Sequence, residues 1–165
     1  MKEIQIVYAE EKYFSSFHAA LDEVANERIN IDLLTAPSLQ DVETFQKRLI
    51  IKNCPVFYAI DREKVVGWCD VSRSDQSRFA HRGHLGLGVL REYRNQKLGR
   101  KLMSKALDHA KSIGIEKLEL SVFASNVNAI RLYEKMGFQY EGLIKNHRKL
   151  DGIVFDTYLM ALVLS

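Results

Sequence analysis

One strand–helix–strand crossover, spanning residues 84–123, constrains this chain more than any other feature. Its first strand is read over 84–90 and its second over 118–123. Between them Leu98, Leu102, Ala106, Leu107 and Ala110 recur at helical spacing as far as about Ile113, and Gly114 supplies the stop. Two strands joined through a helix in this way wind right-handed and lie side by side in parallel. Everything around the crossover reads as antiparallel.

Ile4, Ile6 and Tyr8 alternate as in a first strand, and Phe14, Phe17, Leu21 and Val24 mark a helix over 13–25. After the polar stretch 26–32, Ser38 and Asp41 form a capping pattern ahead of the helical stripe Val42, Phe45 and Leu49. Runs 56–60 and 65–71 flank a charged turn, as hairpin strands do, and 72–80 is a polar loop. A helix over 126–136 precedes two last strands, 138–144 and 153–163, around Asp151-Gly152. The predicted fold is α/β of the mixed (α+β) kind. It has a twisted, mostly antiparallel sheet of about seven strands, one parallel βαβ crossover and flanking helices. With two prolines, no Gly/Ser-rich linker and no repeat, residues 1–165 are expected to form a single domain.

A net charge of +3, with both signs mixed along the chain, argues against nucleic acid as a partner. The longest apolar run, 158–164, is far short of the ~20 residues that cross a bilayer. The first residues read as a strand and not as a secretion signal. No membrane association and a cytoplasmic location are therefore expected. Cys54 and Cys69 lie in or beside apolar runs without close spacing. They read as core thiols and give neither a disulfide framework nor a metal site.

The chemistry concentrates in residues 86–102. Gly86 and Gly88 flank Leu87 inside a strand, which reads as main chain left uncovered for a ligand. A short polar loop then opens the helix at Leu98. Helix starts carry unpaired N–H groups and partial positive charge, which suit a phosphate. Gly99 is read as allowing close approach, and Arg94, Lys97, Arg100 and Lys101 as added positive charge. The run is no P-loop and lacks the triple-glycine dinucleotide pattern.

The stretch Val89 to Met103 resembles the acetyl-CoA motif of the GNAT superfamily of N-acetyltransferases, Arg/Gln-x-x-Gly-x-Gly/Ala. Gln96 and Gly99 match it, Lys101 stands where Gly or Ala is usual, and Asn95 and Lys97 stand where Gly is frequent. A second stretch is similar to the family's Asn-x-x-Ala-x-x-Leu-Tyr-x-x-x-Gly-Phe. It is met by Asn126, Ala129, Leu132, Tyr133, Gly137 and Phe138. Physically, Asn126 is an N-cap and Gly137 a terminator, with Asn126 and Tyr133 ~10 Å apart on one helix face.

The resemblance covers roughly residues 65–162 and is nearest in look to bacterial small-molecule amine and ribosomal-protein N-acetyltransferases. It implies acetyl-CoA as co-substrate without a metal, its pantetheine arm along Leu87 and Val89. Its pyrophosphate would lie by Arg94, Gln96, Lys97, Leu98, Gly99, Arg100 and Lys101, with Asn126 on the second motif. The implied acceptor is a primary amine, and a homodimer is a family-level expectation. The Val89 N–H is proposed to hold the oxyanion of a tetrahedral intermediate, and Tyr133 to protonate the departing sulfur. His84 is the first choice of base and His81 the second. Glu27, Asp32 and Asp156 are acidic groups that could receive an ammonium. The acceptor itself stays open between a small molecule such as an amino acid or polyamine and a protein N-terminus or lysine. A non-catalytic acetyl-CoA sensor is the third reading.

Overall fold

A computed structural model describes residues 3–165. Seven strands form one sheet: β1 (Gln5–Tyr8), β2 (Val56–Asp61), β3 (Lys64–Arg73), β4 (Arg82–Val89), β5 (Lys117–Phe123), β6 (Gln139–Leu150) and β7 (Ile153–Val163). Their spatial order is β1-β2-β3-β4-β5-β7-β6. Every neighbouring pair is antiparallel except β4–β5, which the crossover makes parallel as expected. The helices are α1 (Phe14–Asn26), α2 (Leu39–Ile51), α3 (Leu98–Ser112) and α4 (Val127–Lys135).

The ends of these helices follow from capping chemistry. Ser38 accepts the Asp41 N–H at 3.1 Å to start α2, and Asn126 accepts the Ala129 N–H at 3.3 Å to start α4. Past their C-termini, Gly114 and Gly137 take φ of +79° and +96°, which side-chain-bearing residues resist. No helix among the described residues is long and apolar enough to cross a membrane.

Helices cover both sheet faces. On one, Phe17 of α1 stacks on Tyr58 at 5.0 Å and meets Trp68 edge-on at 5.5 Å. There α2 lends the buried Gln46, which accepts the Tyr58 hydroxyl at 2.6 Å and donates to Asp70 at 3.3 Å. On the opposite face α3 buries Leu102, Met103, Ala106 and Ala110 completely. Both cysteines are free and buried in this core.

The structure departs from the sequence expectation in two places. Strand β6 runs on to Leu150, through the basic stretch Lys145–Lys149. Charge does not stop it, because an edge strand needs only one partner and leaves its other side to water. Gly86 and Gly88 also have a different reason to be glycine. A side chain at Gly88 would overlap the Trp68 ring, and one at Gly86 would lie 2.9 Å from Asp70 Oδ1. Both glycines make room for β3 side chains.

Candidate functional site

The uncovered main chain exists, and it comes from strand divergence. Parallel pairing between β4 and β5 holds for three residue pairs, Arg82↔Lys117, Gly83↔Leu118 and His84↔Glu119, and then stops. Beyond it β4 stays paired with β3 as far as Val89, and β5 with β7 as far as Phe123. The facing edges therefore splay apart. Hydrogen bonding to the neighbouring strand alternates along an antiparallel pair, and the Leu90 N–H reaches Val66 O at 2.9 Å. Residues 86 and 88 share that orientation, so the main-chain groups of Leu87 and Val89, beyond the last pair with β5, point the other way, into the opening. A cleft of about 950 Å³ occupies it. Leu87, Val89, Ser121 and Phe123 contribute to its walls.

At one mouth of the cleft stands the start of α3. Asn95 and Lys97 sit in left-handed backbone, φ 61° and 63°, which accounts physically for glycine suiting these two positions. The Lys101 N–H already closes onto Lys97 O at 3.1 Å. The first-turn donors left without an intrahelical partner are those of Leu98, Gly99 and Arg100. These three residues and Lys97 line the cleft. A Cβ on Gly99 would come within 2.9 Å of Leu132, so this glycine also lets α4 approach the α3 start.

Of the expected cofactor contacts, Arg94 is already paired, and Gln96 and Lys101 do not border the cleft. Arg94 borders the cleft, but its Nη1 and Nη2 grip Glu27 at 2.9 and 2.7 Å while Nε donates to Val89 O at 2.9 Å. Its charge is neutralised by a carboxylate whose side chain is only 11% exposed. Gln96 turns back to donate to Glu92 O at 3.0 Å, outside the cleft. Lys101 is exposed and does not border the cleft.

Tyr133 and Asn126 both reach the cleft from α4. Tyr133 is buried, packed near Phe138 with ring centroids 5.9 Å apart. Burial, and secondarily the Cys69 thiol, pushes its phenol well above the ordinary value, so it is a protonated donor at any physiological pH. His84 opens into the cleft at the last paired position of β4. Although its ring keeps an exposed surface, the surrounding protein depresses its pKa below the ordinary 6.5, against the opposing pull of Glu119. It is neutral at pH 7. His81 is exposed and does not border the cleft.

The far end of the cleft is built by residues the sequence left out of the site. Asn30, Ile31 and Asp32 come from the segment after α1, and His147 and Thr157 from β6 and β7. His147 Nδ1 lies 2.8 Å from Thr157 Oγ1. Of these, the sequence points only to Asp32, as an acidic group. The others gave no signal, since their meeting depends on the long β6–β7 hairpin folding back toward α1. Glu27, the second acidic candidate, is held by Arg94, and Asp156 Oδ1 accepts the Asn146 N–H at 2.8 Å.

A family model described as the acetyltransferase (GNAT) family matches residues 19–138. An L-amino acid N-acetyltransferase of Escherichia coli is 30% identical over 100 residues, 60% of this chain and 62% of that protein. A ribosomal protein bS18-alanine N-acetyltransferase, also of Escherichia coli, is 36% identical over 74 residues, 45% of this chain and 50% of that protein. These matches thus span half to three-fifths of the relatives' lengths. Among solved structures, an acetyltransferase of the GNAT family from Streptococcus pneumoniae superimposes with a TM-score of 0.91 at 27% identity. It covers 98% of this chain and 100% of that one.

Proposed function

The chain belongs to the GNAT acetyltransferase family, and on that premise we propose that it moves an acetyl group from acetyl-CoA to the primary amine of a small molecule. The observation that carries this reading is the splaying of β4 from β5 with the α3 start at the mouth of the gap. An extended, amide-containing arm fits there as an extra strand, and a pyrophosphate fits the free N–H groups of Leu98, Gly99 and Arg100 beside the Lys97 ammonium. Leu87 presents its main-chain donor and acceptor to the arm and Val89 its N–H, and Asn126 borders the same space from α4.

In the reaction the amine nitrogen bonds to the thioester carbonyl carbon and the carbon–sulfur bond breaks, leaving an amide and a thiol. The chain's residues handle charge and protons. The Val89 N–H is fixed by its strand and stabilises negative charge on the carbonyl oxygen as it develops. Tyr133 arrives protonated and supplies the sulfur with its proton. His84, neutral at pH 7, takes a proton from the amine directly or through a water.

The amino acid acetyltransferase relative supports a small acceptor. The ribosomal-protein relative supports the second reading, a protein N-terminus, on a shorter match. Two measurements test the proposal. Calorimetric titration with CoA should show one site per chain, and thiol release from acetyl-CoA should depend on an added small amine. A protein that gives no heat with CoA is not this enzyme. One that acetylates peptides but no small amine makes the second reading the correct one.

A further inference from the structure

Arg148 is a buried cation with one terminal nitrogen unmet. Its side chain is 10% exposed, although it lies on the edge strand β6 and in a basic stretch where solvation is the rule. Nε pairs with Asp32 Oδ1 at 3.3 Å, and Nη1 donates to Arg28 O at 3.3 Å. The guanidinium carbon lies 5.0 Å from the Phe123 ring centre and 5.5 Å from that of Phe155. Nη2 is buried and has no hydrogen-bond partner among the described residues. Leaving a charged donor buried and unpaired costs more than an ordinary missing hydrogen bond, so such a group signals a partner that arrives.

Its position says what arrives. Phe123 and Asp32, which the guanidinium touches, both border the cleft. The guanidinium therefore stands behind two residues of the cleft wall. Asp32 engages it through one oxygen and keeps its side chain 74% exposed, free to swing aside for a competing ligand. A planar guanidinium with an unmet N–H favours an oxyanion, and on an amine-bearing small molecule the common one is a carboxylate. A second ammonium finds no such welcome at Glu27, which Arg94 already holds.

We infer that Arg148 recognises a carboxylate on the acceptor, so that the substrates are amino acids and related amine-bearing carboxylic acids, not polyamines. This rests on the acetyltransferase reading above. It names the acceptor class, with Arg148 as the specificity determinant beyond the reacting groups.

The test measures kcat/KM by thiol release for matched pairs, each amino acid against its own carboxamide, together with spermidine. A panel of α-amino acids, β-alanine and 4-aminobutyrate covers different spacings between amine and carboxylate. The wild type should favour the preferred acid over its amide by about tenfold or more. Arg148→Gln should collapse that ratio through the KM for the acid, and Arg148→Lys should keep part of it. As a check that needs no variant, the des-amino form of the preferred acid should compete with the acceptor while its amide does not. Equal rates for acids and amides, a preference for spermidine, or a ratio unchanged in Arg148→Gln would each overturn the inference. So would a protein that binds CoA yet acetylates neither member of any pair. A protein that does not bind CoA fails at the earlier step and removes the acetyltransferase reading itself.

Discussion

Arg94 and Glu27 form a two-pronged ion pair, at 2.7 and 2.9 Å, that fastens the end of α1 to the end of β4. The same arginine holds the Val89 carbonyl through Nε at 2.9 Å, and Asn30 donates to the Glu27 carboxylate at 2.8 Å. The pair thus fixes the last cleft-facing residue of β4. Arg94→Ala leaves a mostly buried carboxylate without its main partner, at an expected cost of about 1.5–3 kcal/mol. Urea unfolding measures it. Adding Glu27→Gln to that variant should recover part of the loss, because the two changes share one interaction.

Tyr133→Phe removes one oxygen and leaves the ring in its packing beside Phe138. The variant should fold and bind CoA as the wild type does, and lose roughly a hundredfold in kcat, the usual scale of one general acid. Single-turnover rates with saturating acetyl-CoA decide the matter. Equal rates for the two proteins would take Tyr133 out of the chemistry.

Lys97 holds φ 63° immediately before α3, a conformation that costs a side-chain-bearing residue about 1 kcal/mol. Lys97→Gly is expected to stabilise the fold by about that amount and at the same time to weaken CoA binding severalfold through the missing charge. Melting temperature and CoA titration should move in opposite directions. A rise in both would show that the ammonium does not meet the ligand.

Local signals in the chain are read well, and distant ones are not. The caps Ser38 and Asn126 and the stop Gly137 follow from residues within a few positions of one another, the parallel crossover follows from consecutive elements, and all are present. Where β4 and β5 part company cannot be read locally, because nothing in either strand's residues states how long its pairing lasts. The strand glycines mislead for a related reason: they answer to Trp68 and Asp70 on the neighbouring strand. Arg94 lies 67 residues from Glu27, and Arg148 lies 120 from Arg28. Basic residues whose partners are that remote look like solvated charge until the fold brings the partners together.

For His84 the sign of the pH effect is fixed by its surroundings. Burial lowers its pKa below 6.5, and Glu119 only partly restores it. A base of this kind is fully competent at pH 7 and loses activity only when pH falls through the lowered value. The acid limb of kcat/KM should therefore lie below pH 6.5. In His84→Gln that limb should vanish and the rate fall about a hundredfold, while any rise at higher pH due to the amine itself persists. An unaltered limb in the variant would assign the titration to another group.

Asp70 carries the clearest link between acidity and stability. It lies on β3 opposite Gly86, where Gln46 donates to it at 3.3 Å. Burial pushes its carboxyl up to about 6 from an ordinary 3.8, and the Gln46 hydrogen bond only moderates this. Between these values the folded protein binds more protons than the unfolded chain does. Stability conferred by the protonated acid is complete at pH below 3.8 and is lost as pH rises through about 6. Above that the protein carries the full penalty of a buried charge, about 1–3 kcal/mol. Asp70→Asn removes the charge and keeps an acceptor for Gln46. The variant should be more stable than the wild type at pH 7.5 by about that amount, and the difference should shrink toward zero near pH 4, where the wild-type acid is mostly protonated. Urea unfolding of both proteins at the two pH values measures this. A variant less stable at pH 7.5 would mean that the carboxylate is charged and held by a favourable partner, and the sign of the effect would reverse.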